Sequence, residues 1–183
     1  DRSNYNNLEK NIIKNNGEGL YIINSQYNNI SHNNLEDNKN GTCIYYSTYI
    51  SVKNNYVSNN SLNGIYFVGS DFSNISSNLV TLSERGINLI NSHSNTMSEN
   101  VAYGNEKSSI RLTRSENNVL TKNVVYLSTH GIYLDESSSN KIEENHVSGN
   151  FEGGITVTYG SNHNVISRNT IKQNALVGIY LFN

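Results

Sequence analysis

The sequence predicts an all-β fold, a parallel β-helix solenoid of about eight coils of 22–24 residues with asparagine and serine ladders. Three observations carry this reading. A unit of the form Asn-x-Ile-x-x-Asn-x-Val, a gap, then Gly-Ile-x-Leu recurs from end to end. Its apolar positions alternate with period two, which is the period of a strand. Its segments are too short for helices and are bounded by Asn, Ser and Gly, which suit tight bends.

Each element has its own column. The second Asn of the unit falls at Asn11, Asn33, Asn55, Asn78, Asn100, Asn123, Asn145 and Asn169. An inward Asn at a bend can bond the carbonyls buried there, or the same Asn one coil away, about 4.8 Å distant. A second column lies five residues on, at Asn16, Asn38, Asn60, Ser83, Asn105, Ser128, Asn150 and Asn174. A serine column runs through Ser3, Ser25, Ser47, Ser70, Ser92, Ser115 and Ser137, with Gly160 closing it. Asn, Ser and Gly tolerate tight or left-handed bends, so these three columns are read as corners. The strand of Gly-Ile-x-Leu opens on Gly19, Gly41, Gly64, Gly86, Gly131, Gly154 and Gly178, with Ser109 in the remaining slot. Leucine-rich repeats share the unit length but need a helical return segment, and no helical periodicity supplies one.

The alternation of Asn-x-Ile-x-x-Asn-x-Val with Gly-Ile-x-Leu resembles the right-handed parallel β-helix repeats of NosD-like and pectin-lyase-like proteins, over the whole chain. Right-handedness is also what the crossover rule predicts. The resemblance implies the fold. Its functions range over polysaccharide lyases and hydrolases, alginate epimerases, periplasmic proteins linked to copper-enzyme maturation, and surface or adhesive proteins, so the site must decide between them.

Composition narrows the choice. Residues 1–183 form a single β-helix domain, expected to be a segment of a longer chain or a stackable filament unit. Only 35% of residues are hydrophobic, which suits the thin core of a solenoid. Proline is absent, in keeping with uninterrupted ladders. A net charge of −2 suggests no nucleic-acid partner, and no apolar run could span a membrane. The lone Cys43 excludes a disulfide framework and reads as a small apolar surface residue. Sequons at Asn29, Asn40, Asn59 and Asn74, together with the resemblance, point to an extracellular, cell-surface or periplasmic location.

Function is to be sought on the outward positions of the Gly-Ile-x-Leu strand. One column there reads Tyr21, Cys43, Tyr66, Asn88, Arg111, Tyr133, Thr156, Tyr180; the next includes Tyr45 and Asp135. Tyr21, Tyr45, Tyr66, Tyr133 and Tyr180 form a candidate contact face for sugar rings or another protein. The enzymatic candidates are Arg111, Tyr133 and Asp135, joined by Arg114, Glu136 and Asn88. A lyase or epimerase needs a base at the sugar C5 proton and a cation against its carboxylate. Arg114 and Glu136 also read as a simple salt bridge. The patch lacks the Asp-Pro-His and Asp-Asp signatures of the enzymes it resembles, and Thr129-His130-Gly131 lacks carboxylate partners in the sequence. A further outward column ends Glu99, Lys122, Glu144, Arg168 and reads as a surface ion-pair ladder.

No cofactor and no metal site is expected, because the five histidines occupy different registers. The expected partner is the chain itself, through end-to-end stacking or flanking coils, with Asn183 placed before Ser3 of the next copy; a polysaccharide is the second. The reading is a structural or adhesive β-helix that assembles end to end or binds glycans, with a polysaccharide lyase or C5-epimerase as the alternative.

Overall fold

Identical strands one coil apart can only pair in parallel, and the chain forms three eight-stranded parallel sheets. The computed structural model describes residues 2–182; Asp1 and Asn183, and with them the junction expected at Asn183, lie outside the described residues. Sheet 1 runs from Asn7–Glu9 to Val165–Ser167 and sheet 2 from Ile12–Lys14 to Thr170–Lys172, both of three-residue strands. Sheet 3 runs from Glu18–Ile23 to Val177–Leu181 and holds the longer strands. Coil four, for example, comprises Asn74–Ser76, Leu79–Thr81 and Arg85–Ile90.

Registers keep like residues in line, as in Ile75↔Met97, Val80↔Ala102 and Leu89↔Leu112. The lumen is filled by one inward column from each short-strand sheet and two from sheet 3. In coil five these are Met97, Ala102, Ile110 and Leu112, all fully buried. Burying such a side chain stabilises by roughly 1.5–3 kcal/mol for the larger ones, so a thin core suffices when every coil repeats it.

Each bend turns on a residue with positive φ, followed by an inward Asn or Ser, or at Tyr49 by the inward Ile50. Between sheets 1 and 2 the left-handed residue is Lys10, His32, Asn54, Ser77, Glu99, Lys122, Glu144 or Arg168, with φ between 53° and 57°. The inward Asn therefore does not itself adopt the left-handed conformation; the outward residue before it does. Tyr5, Tyr27, Tyr49 and Phe72 occupy such positions at another bend, and their rings stack with centroids 4.9–5.6 Å apart.

The inward amides close the bends. Asn100 donates its backbone N–H to Asn123 Oδ1 (3.0 Å) and its Nδ2 to both Asn123 Oδ1 (3.0 Å) and Ile75 O (2.8 Å). Its own Oδ1 accepts from the backbone and side-chain nitrogens of Asn78, both at 3.0 Å. The same scheme links Asn11, Asn33, Asn55, Asn78, Asn100, Asn123, Asn145 and Asn169.

Three corrections concern the ladders. Ser161, not Gly160, closes the serine column, accepting from Ser137 N at 2.9 Å; Gly160 is an extra left-handed residue inserted before it. A fourth ladder, the first Asn of the sequence unit, runs through Asn95, Asn118, Asn140 and Asn164, each backbone N–H donating to the next Oδ1 at 2.8 Å. The expected charge ladder is reduced to one pair: Arg168 bonds Glu144 at 3.3 Å, while no ion pair joins Glu99, Lys122 and Glu144 among the described residues. These long side chains stand on exposed bends, where fixing two of them costs more rotamer entropy than a screened pair returns.

The strand-opening glycine lies against the next coil. A Cβ on Gly131 would sit 2.6 Å from Gly154 O, 2.7 Å from Val147 Cγ1 and 2.8 Å from Asn150 Nδ2. Ser109 fits the same slot because its corner neighbour is the smaller Ser128, with which it shares a 2.8 Å hydrogen bond, and because it donates to Ala102 O at 2.9 Å.

Two stability measurements follow from this packing. Asn100→Ala is expected to destabilise the chain by about 1–3 kcal/mol, since it orphans the N–H of Asn78 and the carbonyl of Ile75; equal urea midpoints for mutant and parent would refute the ladder's role. Gly131→Ala should cost about 1–3 kcal/mol by overpacking, and Ser109→Gly, at a slot already built for a side chain, should not recover the converse gain in thermal midpoint.

Candidate functional site

The outer surface of sheet 3 carries the side chains that the repeat leaves free to vary, and the structure divides it into three zones. At the N-terminal end Tyr21, Tyr45 and Tyr66 pack on one another, with ring centroids 5.4 and 5.9 Å apart. Cys43 lies between Tyr21 and Tyr66 in register. It is fully buried rather than a surface residue, because the neighbouring rings and Glu18 cover it. Desolvation first, and then the Glu18 carboxylate 2.6 Å away, raise its thiol pKa, so it is held as an inert thiol.

Beside it runs a polar ladder. Asn40 donates to Glu18 (3.1 Å), Asn63 to Asn40 Oδ1 (2.8 Å) and Asn88 to Asn63 Oδ1 (2.9 Å). The ladder stops at Asn88, whose Oδ1 is buried without a partner.

The expected enzymatic residues meet in coils five and six. Arg111 Nη2 bonds Asp135 Oδ2 at 2.8 Å, and its guanidinium lies 4.9 Å from the centre of the Tyr133 ring. Asn88 is in register with Arg111. Arg114 and Glu136 do not join them. Both stand on left-handed bends, and Arg114 donates to Asn91 one coil back (3.2 Å) instead of forming the expected bridge to Glu136.

His130 enters the site from the outward column that opens each long strand, a column no motif marks. Its ring centroid is 5.0 Å from that of Tyr133; Nε2 is 3.3 Å from Glu152 Oε2, and Nδ1 is 3.3 Å from Thr156 Oγ1. Glu152 is the carboxylate partner missing from the local sequence, supplied by the next coil. Desolvation lowers the His130 pKa, opposed by Glu152 and assisted by Arg111.

C-terminal to this cluster the surface opens into a groove of about 390 Å³ between Tyr133, Tyr159, Tyr180 and Phe182, floored by Gly153 and Thr156 and edged by His130 and Glu152. Tyr133 and Tyr180 of the expected contact face line it. Tyr159 and Phe182, which sequence reasoning did not select, add two more rings. They lie at a bend and at the end of the last strand, outside the tabulated tyrosine column.

The His130 shift has a definite sign. A depressed folded pKa means that its stabilising contribution is full above the ordinary value of 6.5 and is lost as pH falls through the folded pKa. An NMR titration should place His130 below 6.5, with Glu152→Gln lowering it further and Arg111→Gln raising it; a titration at or above 6.5 would contradict the burial of the imidazole.

Two family models match the chain. One, described as right handed beta helix region, covers residues 1–108, and one described as periplasmic copper-binding protein (NosD) covers residues 59–183. No curated protein matches. Among solved structures, the Dettilon tailspike protein is similar with a TM-score of 0.86 and 20% identity, over 97% of this chain and 41% of that one. The mannuronan C-5 epimerase A-module of Azotobacter vinelandii gives 0.75 and 22%, over 82% and 43%. The Streptococcus pneumoniae surface protein and adhesin PfbA gives 0.73 and 13%, over 98% and 67%. The chain thus spans less than half of the tailspike and epimerase chains, and at these identities the likeness is one of fold.

The residues present do not fit a copper centre. Copper takes imidazole, thiolate and thioether donors, but Met97 is sealed in the lumen, Cys43 is engaged by Glu18, and His93 and His130 are held by neighbours in separate columns. No group of three His, Cys, Asp or Glu among the described residues could hold a metal ion. The repeat, the three parallel sheets and the two family matches together place this chain in the family of right-handed parallel β-helix repeat proteins.

Proposed function

We propose that the protein is a structural or adhesive β-helix that acts outside the cytoplasm and binds glycans along the outer face of sheet 3. The groove of coils six to eight carries this reading. Four aromatic rings around an open cleft, with hydroxyls and a carboxylate at its edge, offer apolar ring faces and hydrogen-bonding groups together, as a sugar requires. The tailspike, epimerase and adhesin likenesses are consistent with it, as is the absence among the described residues of a helix able to cross a membrane. The outer edges of the terminal coils, with Leu176, Ile179 and Leu181 exposed, are proposed to meet further coils of the same chain or a second copy.

One observation favours the second reading, a lyase or C5-epimerase. Burial disfavours the protonated form of His130, which stands beside Tyr133 and Glu152, and a general base needs the neutral form. Against it, Arg111 is already engaged by Asp135. Unsaturated products from pectate or alginate that disappear in His130→Ala would establish the enzyme.

The binding reading is tested on a glycan array. Tyr133→Ala and Tyr180→Ala should each weaken binding by about two- to tenfold, the worth of an aromatic contact. Tyr66→Ala, in the separate N-terminal cluster, should leave it unchanged. No hit, or hits indifferent to Tyr133 and Tyr180, would overturn the proposal.

A further inference from the structure

On the other side of the His130–Tyr133 pair lies a second, smaller pocket of about 210 Å³, lined by Lys107, Ser108, Arg111, Thr129, His130 and Tyr133. We propose that it binds the anionic substituent, a carboxylate or a sulfate, of a polysaccharide whose backbone lies in the aromatic groove. The inference rests on the glycan reading and adds to it the chemical class of the ligand.

The argument is a count of donors and acceptors. Ser108 is 2% exposed, and its Oγ has no hydrogen-bond partner. A buried hydroxyl left unpaired is costly, and this one lines a pocket. Lys107 bonds Glu84 at 2.6 Å, which uses one of its three N–H groups. Arg111 uses Nη2 on Asp135 and Nε on Thr113 Oγ1, which leaves Nη1. The Thr129 hydroxyl donates to Glu106 O at 2.6 Å. Two acids beside the pocket are paired with cations, Glu84 with Arg85 and Lys107 and Asp135 with Arg111, while Glu152 is hydrogen-bonded to the His130 imidazole on the groove side. The groups left over are thus two cations and a buried hydroxyl, on residues that all line one cavity. Such a set matches a compact, acceptor-only group with several oxygens, and a planar guanidinium suits carboxylate and sulfate alike.

Position supports the same ligand. His130 and Tyr133 line both the pocket and the groove, so a chain stacked on Tyr133 and Tyr180 passes the pocket mouth. Ser108 lies in register between Arg85 and His130, with Arg111 one column over. The pocket begins one coil beyond Asn88, where the Glu18–Asn40–Asn63–Asn88 ladder ends, so no side chain of that ladder fills it.

The test uses the whole chain and two kinds of probe. Inorganic sulfate and acetate are titrated by NMR, with saturable shifts expected at Lys107, Ser108 and Arg111. Lys107→Met and Arg111→Gln should each weaken binding about tenfold, as loss of a charge-assisted bond does. Ser108→Ala should weaken binding while leaving the thermal midpoint unchanged or raised, which a structural hydroxyl would not do. If Arg111→Gln fails to fold, Lys107→Met, at a more exposed position, decides. No saturable shift, or shifts indifferent to all three variants, overturns the pocket. Polygalacturonate, a sulfated galactan and neutral galactan are then compared: preference for an acidic polymer, lost in Lys107→Met, is the expected result, and the preferred one names the substituent. Equal binding of neutral galactan by parent and variant, with no acidic preference, overturns this inference and leaves the groove reading standing. Sulfate binding with no polymer bound overturns the groove reading and the assignment to a polysaccharide together.

Discussion

The structure depends on how the backbone is satisfied at the bends. Each coil turns four times, and every turn breaks the regular pairing of strands in a place with no access to water. An inward Asn resolves this within one side chain. Its oxygen accepts from the coil on one side, and its nitrogen reaches the coil on both sides, as at Asn100. The bond is net worth only about 0.5–1.5 kcal/mol, but leaving its partners unmet is worse. The core can stay thin because the ladders remove the polar penalty that a thin core could not offset. Where the ladder is interrupted, at Ile50, the slot is filled by a buried apolar chain, and Ile50 keeps its backbone N–H bonded to Ser73 Oγ at 3.0 Å.

The same bends shape the surface. Left-handed backbone costs an ordinary residue about 1–2 kcal/mol, yet Tyr, Phe, Leu, Arg and Glu all adopt it here. Glycine is therefore not required at these positions; the paired inward amides over-determine the turn. This releases the outward residue from any compositional demand. Columns of free identity result, one of which has become the exposed Tyr5–Tyr27–Tyr49–Phe72 stack.

Legibility in the sequence follows from recurrence. The Asn11-to-Asn169 column, the strand-opening glycines and the sheet registers are readable because each repeats in nearly every coil. The burial of Cys43 is not legible in its column, because facing away from the lumen does not mean facing water, and the covering Glu18 and Tyr66 belong to other coils. Arg111, Tyr133 and Asp135 are legible as neighbours because they occupy two adjacent outward columns in consecutive coils. His130 stands out only as part of Thr129-His130-Gly131, and Glu152 and Ser108 not at all, since none recurs and each gains its meaning from a neighbour about 22 residues away. Ser161 was displaced by a single insertion at Gly160, which a count of fixed spacings cannot place on one side of the corner or the other.

Function in such a solenoid is most visible where repetition fails. Sheet 3 is tiled by like residues over coils one to four, each Asn answered by the next. The tiling ends at Asn88 in coil four, whose Oδ1 is unmet, and in coil five Ser109 replaces a glycine, the Ser108 Oγ is unmet and cations stand beside it. Unmet buried oxygens also occur at Asn29, Asn34, Thr42 and Thr48; what sets Ser108 apart is that it lines a pocket together with Lys107 and Arg111. That pocket meets the aromatic groove at His130 and Tyr133. The proposed ligand is therefore placed on the outer face of coils five to eight, where Ser108 and two cations leave hydrogen bonds open beside the aromatic groove.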